Sequence, residues 1–148
     1  MKTRSAASIV IAASLLFAPK AAPAAEKPVF AVVVNTESKL SKMSEDDLSR
    51  IFLGKKTLWD DSATRIQPAL LEEEQATSQA FLEGSLKKSV SQYRAYWKRV
   101  LFSGGGSSPR TFRNSSQVIE FVARQPGGIG VVETSALDGR VKALEIVP

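Results

Sequence analysis

Apolar and polar positions along the chain alternate between strand-like runs and helical spacings. The first run, residues 29–34, is apolar throughout and rich in valine, follows Pro28, and ends at the turn-forming residues 35–38. Such a run predicts a strand that is buried on both faces, as in a mostly parallel sheet. Three further apolar runs predict strands over residues 66–71, 129–132 and 144–147.

Four segments between these runs have the apolar spacing of helices. In the first, Ser44 is a hydroxyl cap ahead of the acidic residues 45–47, the apolar positions end at Phe52, and Gly54 marks the stop. The other three helices are predicted over residues 75–86, over residues 90–102, and from Ser115 or Ser116 to the stop at residues 125–128. Strands that alternate with helices favour a layered α/β domain over an all-α or all-β one.

Three segments of the second half show features of special interest. The helix over residues 90–102 has an apolar stripe and a basic face, the stripe made of Val90, Tyr93, Trp97, Val100 and Leu101 and the face of Arg94, Lys98 and Arg99. The glycine-rich residues 103–109 predict a flexible loop. Residues 126–128 predict a turn from helix to strand in which glycines occupy positive φ. There is no internal repeat and no linker to a second domain, so a single domain is expected.

The N-terminal residues 1–24 are expected to be a cleavable signal peptide. Lys2 and Arg4 precede an apolar stretch over residues 6–18, and Ala22-Pro23-Ala24 fits a small-residue cleavage site. The apolar stretch is shorter than the roughly 20 residues that a membrane-spanning helix needs. The prediction is a periplasmic protein whose mature part comprises residues 25–148.

Charge and composition exclude several kinds of chemistry. Removal of Lys2, Arg4 and Lys20, the only charged residues before Ala25, lowers the net charge from +5 to +2, which does not favour nucleic-acid binding. The chain has no cysteine and no histidine, which excludes disulfides, zinc sites built on these residues and histidine-dependent catalysis. No nucleophile lies beside a recognisable base, so we expect neither an enzyme nor a cofactor.

Three motifs in order resemble one known family. Residues 47–55 (DLSRIFLGK) lead to Trp59-Asp60, and residues 121–133 (FVARQPGGIGVVE) follow later. This order resembles the second lobe of the periplasmic phosphate-binding subunit of phosphate ABC transporters, and residues 93–104 are similar to short one-lobe relatives of that subunit. The resemblance implies a single lobe of a periplasmic type II solute-binding fold, with a mixed sheet flanked by helices.

The resemblance also implies a candidate site. In that family a segment of the form R-x-x-D-G-S-G-T follows a strand, opens a helix and contributes to phosphate binding. The matching segment here retains Thr77, but Leu70 stands at the arginine position, Glu73 at the aspartate position and Glu74 at a glycine position. Backbone N–H groups at a helix start suit an oxyanion. The candidate ligand-binding residues are therefore Gln75, Ala76, Thr77 and Ser78.

Two functions remain open at this stage. One is weak binding of phosphate or another small oxyanion, by this lobe alone or together with a partner lobe. In that function the protein would act with the membrane subunits of an ABC transporter. The other is a periplasmic protein-interaction module that kept the fold and lost the ligand.

Several surface features admit two interpretations. The acidic run 72–74 is either a cation site or a solvated turn, and residues 103–108 are either an anion nest or a flexible loop. The aromatic residues Tyr93, Tyr96 and Trp97 are either core or a face for a partner. The basic face of the same helix is either solvated or a dock for an acidic partner.

Overall fold

A mixed five-stranded sheet forms the centre of the computed structural model, which describes residues 29–148. The predicted signal peptide, residues 1–24, lies outside the described residues. The strands are β1 Phe30–Asn35, β3 Gln67–Leu71, β4 Arg110–Phe112, β5 Gly128–Glu133 and β6 Val141–Ala143, in the spatial order β4-β3-β5-β1-β6. Two short strands, β2 Lys42–Ser44 and β7 Glu145–Val147, form a separate parallel pair.

Within residues 29–148, four α-helices flank the sheet: α1 Glu45–Phe52, α2 Ala76–Gly84, α3 Val90–Phe102 and α4 Ser115–Arg124. A short 3₁₀ helix, Thr134–Ala136, follows β5. The predicted layered α/β fold with a mixed sheet and flanking helices is confirmed.

The direction of β1 corrects one expectation. β3 is parallel to both β4 and β5, but β1 is antiparallel to both of its neighbours, β5 and β6. Its continuous apolar run reflects a central position with helices on both sheet faces, and burial of both faces occurs in either direction. Val32 and Val34 pack with α1, α2 and α3, whereas Val33 packs with α4.

The helix boundaries follow local capping. Ser44 Oγ accepts from the backbone N–H of Asp47 at 3.1 Å, as predicted for the start of α1. For α4 the prediction of a serine cap is wrong, because Asn114 is the cap and its Oδ1 accepts from the N–H of Gln117 at 2.9 Å. Ser115 is instead buried, and its hydroxyl accepts from the backbone N–H of Glu133.

The glycines at residues 127 and 128 serve close packing rather than positive φ, contrary to expectation. Positive φ occurs at Gly54, Gly104 and Gly106 among the glycines of the described chain. A Cβ on Gly127 would lie 2.0 Å from the carbonyl oxygen of Arg65. The backbone of the α4–β5 turn therefore lies directly against the segment that enters β3.

The sequence pattern missed the three-residue strands β2, β4 and β6. It also placed Leu101 in the apolar stripe of α3, whereas Leu101 is 52% exposed and its neighbour Phe102 is 84% exposed. Tyr93 and Trp97 are buried, as their spacing predicted.

Candidate functional site

The carboxyl ends of three strands meet at one edge of the sheet. β3, β4 and β5 run in the same direction, so the residues that follow Leu71, Phe112 and Glu133 lie at this edge. β3 leads into α2 and β4 leads into α4, which brings two helix N-termini together. In open α/β sheets ligands bind outside the carboxyl ends of the strands, so this carboxyl edge is the candidate site.

All four predicted ligand residues lie at the start of α2. Gln75 is the N-cap residue and Ala76 the first helical residue, and Gln75 makes no side-chain capping bond. Thr77 and Ser78 are 4% and 1% exposed. The Ser78 hydroxyl donates to the carbonyl oxygen of Leu71 at 2.7 Å, which ties the helix start to the end of β3.

The side chain of Gln75 joins the two helix starts. Its Nε2 donates to the carbonyl oxygen of Arg113 at 2.7 Å, across 38 positions of sequence. The backbone of Glu72 also pairs across this gap, since its N–H donates to the carbonyl oxygen of Phe112 at 2.9 Å. The loops that begin α2 and α4 are therefore held together by direct hydrogen bonds.

Two arginines pair with the acidic run that precedes α2. Arg94, from α3, forms ion pairs with both Glu73 and Glu74, and Arg113 lies 3.8 Å from the carboxylate of Glu72. A backbone hydrogen bond at Glu74 and then the Arg94 guanidinium lower the pKa of the Glu74 carboxyl below its ordinary value. The sequence pattern did not reveal these pairs, because the partners are 20 or more positions apart.

Two kinds of feature are absent from the described residues: a metal-binding cluster and a membrane-spanning helix. Across residues 29–148 no group of three or more acidic side chains is arranged to hold a metal ion. None of the helices in that range has the length and apolar character needed to cross a membrane.

Comparison with known proteins gives matches among solved structures. No protein-family model and no curated protein matches the chain. An ABC-type phosphate transport receptor from Vibrio cholerae superposes with a TM-score of 0.62 at 19% sequence identity, over 79% of this chain and 45% of the receptor. A protein from Clostridium perfringens, described as a phosphate ABC transporter substrate-binding protein with bound phosphate, gives 0.64 at 16% identity over 79% and 44% of the two chains. PstS from Borrelia burgdorferi gives 0.59 at 13% identity over 80% and 47%.

The described chain has the fold of one lobe of a phosphate-type solute-binding protein. It spans less than half the length of each of these three proteins. At this level of identity the likeness concerns the fold, and function has to be argued from the carboxyl edge itself.

Proposed function

We propose that this chain is an exported lobe of the solute-binding fold that acts as a protein-interaction module in the periplasm, with the carboxyl edge as part of its binding surface. The observation that carries the proposal is that polar side chains expected to serve a ligand are used within the lobe. The Gln75 amide bonds the carbonyl of Arg113, the Ser78 hydroxyl bonds the carbonyl of Leu71, and Thr77 is almost fully buried.

Electrostatics at the carboxyl edge also act against a small anion. Three carboxylates, those of residues 72–74, stand against two guanidiniums, and both guanidiniums already have carboxylate partners. Two like unit charges 4 Å apart repel by about 4 kcal/mol at an effective dielectric near 20, a value that falls in wetter surroundings. An oxyanion at the start of α2 would therefore compete with resident carboxylates.

The same charges suit a protein surface. Arg113 is 85% exposed and Glu74 is 73% exposed at their side chains, so both signs of charge are presented to solvent at one edge. Mixed exposed charges of this kind steer and orient a protein partner more than they add affinity.

Site-specific photo-crosslinking in producing cells tests the proposal. A photoreactive residue at Arg113 is expected to capture one dominant protein from the periplasm. The matched control is the same residue at Ser62, an exposed position in the loop that leads to the opposite end of β3. No adduct from Arg113, or the same adducts from both positions, would contradict the proposal.

A second candidate, weak oxyanion binding, is supported by the free end of α2. The helix lacks a side-chain cap, and a helix start whose first N–H groups lack such partners attracts anions. In this version the N–H groups of Ala76, Thr77 and Ser78 bind phosphate together with the Thr77 and Ser78 hydroxyls, and a partner lobe closes the open side.

Calorimetry distinguishes the two candidates. Titration of residues 25–148 with phosphate and with sulfate is expected to give no heat below millimolar concentration. Micromolar binding of phosphate that is lost in Thr77→Val but kept in Thr64→Val, the control at the opposite edge of the sheet, would favour oxyanion binding over protein interaction.

A further inference from the structure

A groove of about 320 Å³ lies between α3 and β4, beside the acidic run. Its lining combines apolar and aromatic side chains with a few polar ones: Glu73, Tyr93, Arg94, Trp97, Lys98, Leu101, Ser108, Pro109 and Thr111. β4 is an edge strand of the sheet, so this groove lies at the open side of the lobe.

The indole of Trp97 forms part of the apolar wall of the groove. Trp97 is 5% exposed and lines the groove together with Tyr93, which is also buried. The two rings pack edge to face, with their centroids 6.5 Å apart. These aromatic rings give the groove an apolar floor beside its charged residues.

The apolar surface continues beyond the groove. Leu101, which lines it, is 52% exposed, and the next residue, Phe102, is 84% exposed at the end of α3. Together, the exposed side chains of Leu101 and Phe102 make the apolar surface larger than a small ligand would cover. An extended segment of another polypeptide would cover both of them.

The charge of the groove favours an acidic occupant. Lys98 lines the groove and, like Arg99 beside it, forms no ion pair within residues 29–148. Arg94 is a further cation, already paired with Glu73 and Glu74. A second copy of the chain fits poorly, because a two-fold axis here would bring two basic α3 faces together.

We propose that this groove binds an extended acidic segment of a partner protein. A carboxylate of the segment pairs with Lys98, and an adjacent apolar side chain of the segment packs on Leu101 and Phe102. The proposal rests on the interaction function proposed above and names the binding groove and the chemistry of the partner.

Fluorescence anisotropy with a defined probe tests the groove. The probe is a fluorescein-labelled peptide of sequence DELFDE, titrated with residues 25–148 at low salt. We expect saturable binding, reduced about tenfold or more when the acids of the probe are replaced by lysine, and about as much when its Leu-Phe pair is replaced by Ala-Ala.

Protein variants locate the binding. Lys98→Glu and the double change of Leu101 and Phe102 to alanine are each expected to weaken binding about tenfold, whereas Lys98→Arg retains it. The matched control is Leu137→Ala, which removes an exposed leucine outside the groove.

Three results would overturn the groove proposal: no binding of DELFDE, equal binding of its lysine counterpart, or binding unchanged in the Leu101 and Phe102 variant. Binding to phosphatidylglycerol vesicles in place of the peptide would assign the surface to a membrane and would also overturn it. Crosslinking from Arg113 is an independent readout, so a partner captured there while the peptide fails would leave the interaction function standing and reject this groove.

Discussion

Two buried tryptophans contact the backbone of turns that follow helices. Trp59 is 8% exposed and donates from its indole Nε1 to the carbonyl oxygen of Gly127 at 3.2 Å. Trp97 packs against the backbone at Gly54, just beyond the end of α1. At Gly54 the indole of Trp97 occupies the space that a side chain would fill, because a backbone without a Cβ leaves room for a large ring.

Replacement of Gly54 tests this packing. Gly54 has φ +72°, and a Cβ there would lie 2.7 Å from Cη2 of Trp97. Gly54→Ala is therefore expected to lower the free energy of unfolding by about 2–4 kcal/mol, from backbone strain and overpacking together. Urea unfolding followed by tryptophan fluorescence measures the change.

The control for this prediction is Gly84→Ala. Gly84 is the last residue of α2, and a Cβ there meets nothing within 4 Å. This variant is expected to keep or raise stability, by up to about 1 kcal/mol. Equal losses at the two glycines would show that contact with Trp97 is not the cause.

At the scale of elements, the helix starts use three different devices. α1 and α4 are capped by the side chains of Ser44 and Asn114, whereas α2 begins at Gln75 without a side-chain cap. α3 has a full capping box, in which Ser89 Oγ accepts from the N–H of Gln92 and the Gln92 side chain accepts from the N–H of Ser89. The helix that the sequence pattern delimits most accurately, residues 90–102, is the one with this local, reciprocal cap.

Loss of the capping box has a predictable cost. Ser89→Ala is expected to lower the free energy of unfolding by about 1 kcal/mol, because it leaves the first-turn N–H of Gln92 without its acceptor. Thermal and urea unfolding of the same samples measure the loss. Ser91→Ala, an exposed change within the first turn of α3, is expected to be neutral within about 0.5 kcal/mol.

The strands differ from the helices in how far local sequence predicts them. The runs at residues 29–34 and 129–132 correspond to β1 and β5, which are central and covered on both faces. β4, with Arg110 and Thr111 exposed, has no apolar run of its own. It is a strand because β3 supplies hydrogen-bonding partners, and that pairing depends on residues some 40 positions earlier.

At the scale of the whole molecule, burial of a titratable group links folding to pH. Tyr93 is 3% exposed, and this burial raises the pKa of its hydroxyl well above 10, helped by the charge of Glu73. In the unfolded chain the hydroxyl ionises near pH 10. Stability from Tyr93 is therefore complete below pH 10 and is lost as the pH rises toward its folded-state pKa.

An alkaline stability series tests this linkage. Above pH 10 the unfolded chain binds fewer protons at Tyr93 than the folded chain, so the free energy of unfolding falls by up to about 1.4 kcal/mol per pH unit from this group. Urea unfolding from pH 8 to 11 is expected to show a shallower decline in Tyr93→Phe than in the parent chain. Parallel curves would contradict the assignment, since groups common to both proteins cancel in the comparison.

The start of α2 was predicted from the sequence, but the contacts of its side chains were not. The sequence placed Gln75–Ser78 at an exposed helix start; α2 begins there, but Thr77 and Ser78 are buried. It could not show that Arg94 joins Glu73 and Glu74, nor that Gln75 bonds the carbonyl of Arg113. These contacts exist only after α3 and β4 pack beside β3.

The sequence alone determined the alternation of strands and helices, the order of the three motifs and most helix boundaries, because periodicity and capping act over three or four neighbouring residues. Tertiary structure decided the antiparallel direction of β1, the strand character of β4 and the charge at the carboxyl edge. Each of these depends on which distant segments become neighbours, and the free energy of those contacts appears only when the sheet and its helices assemble.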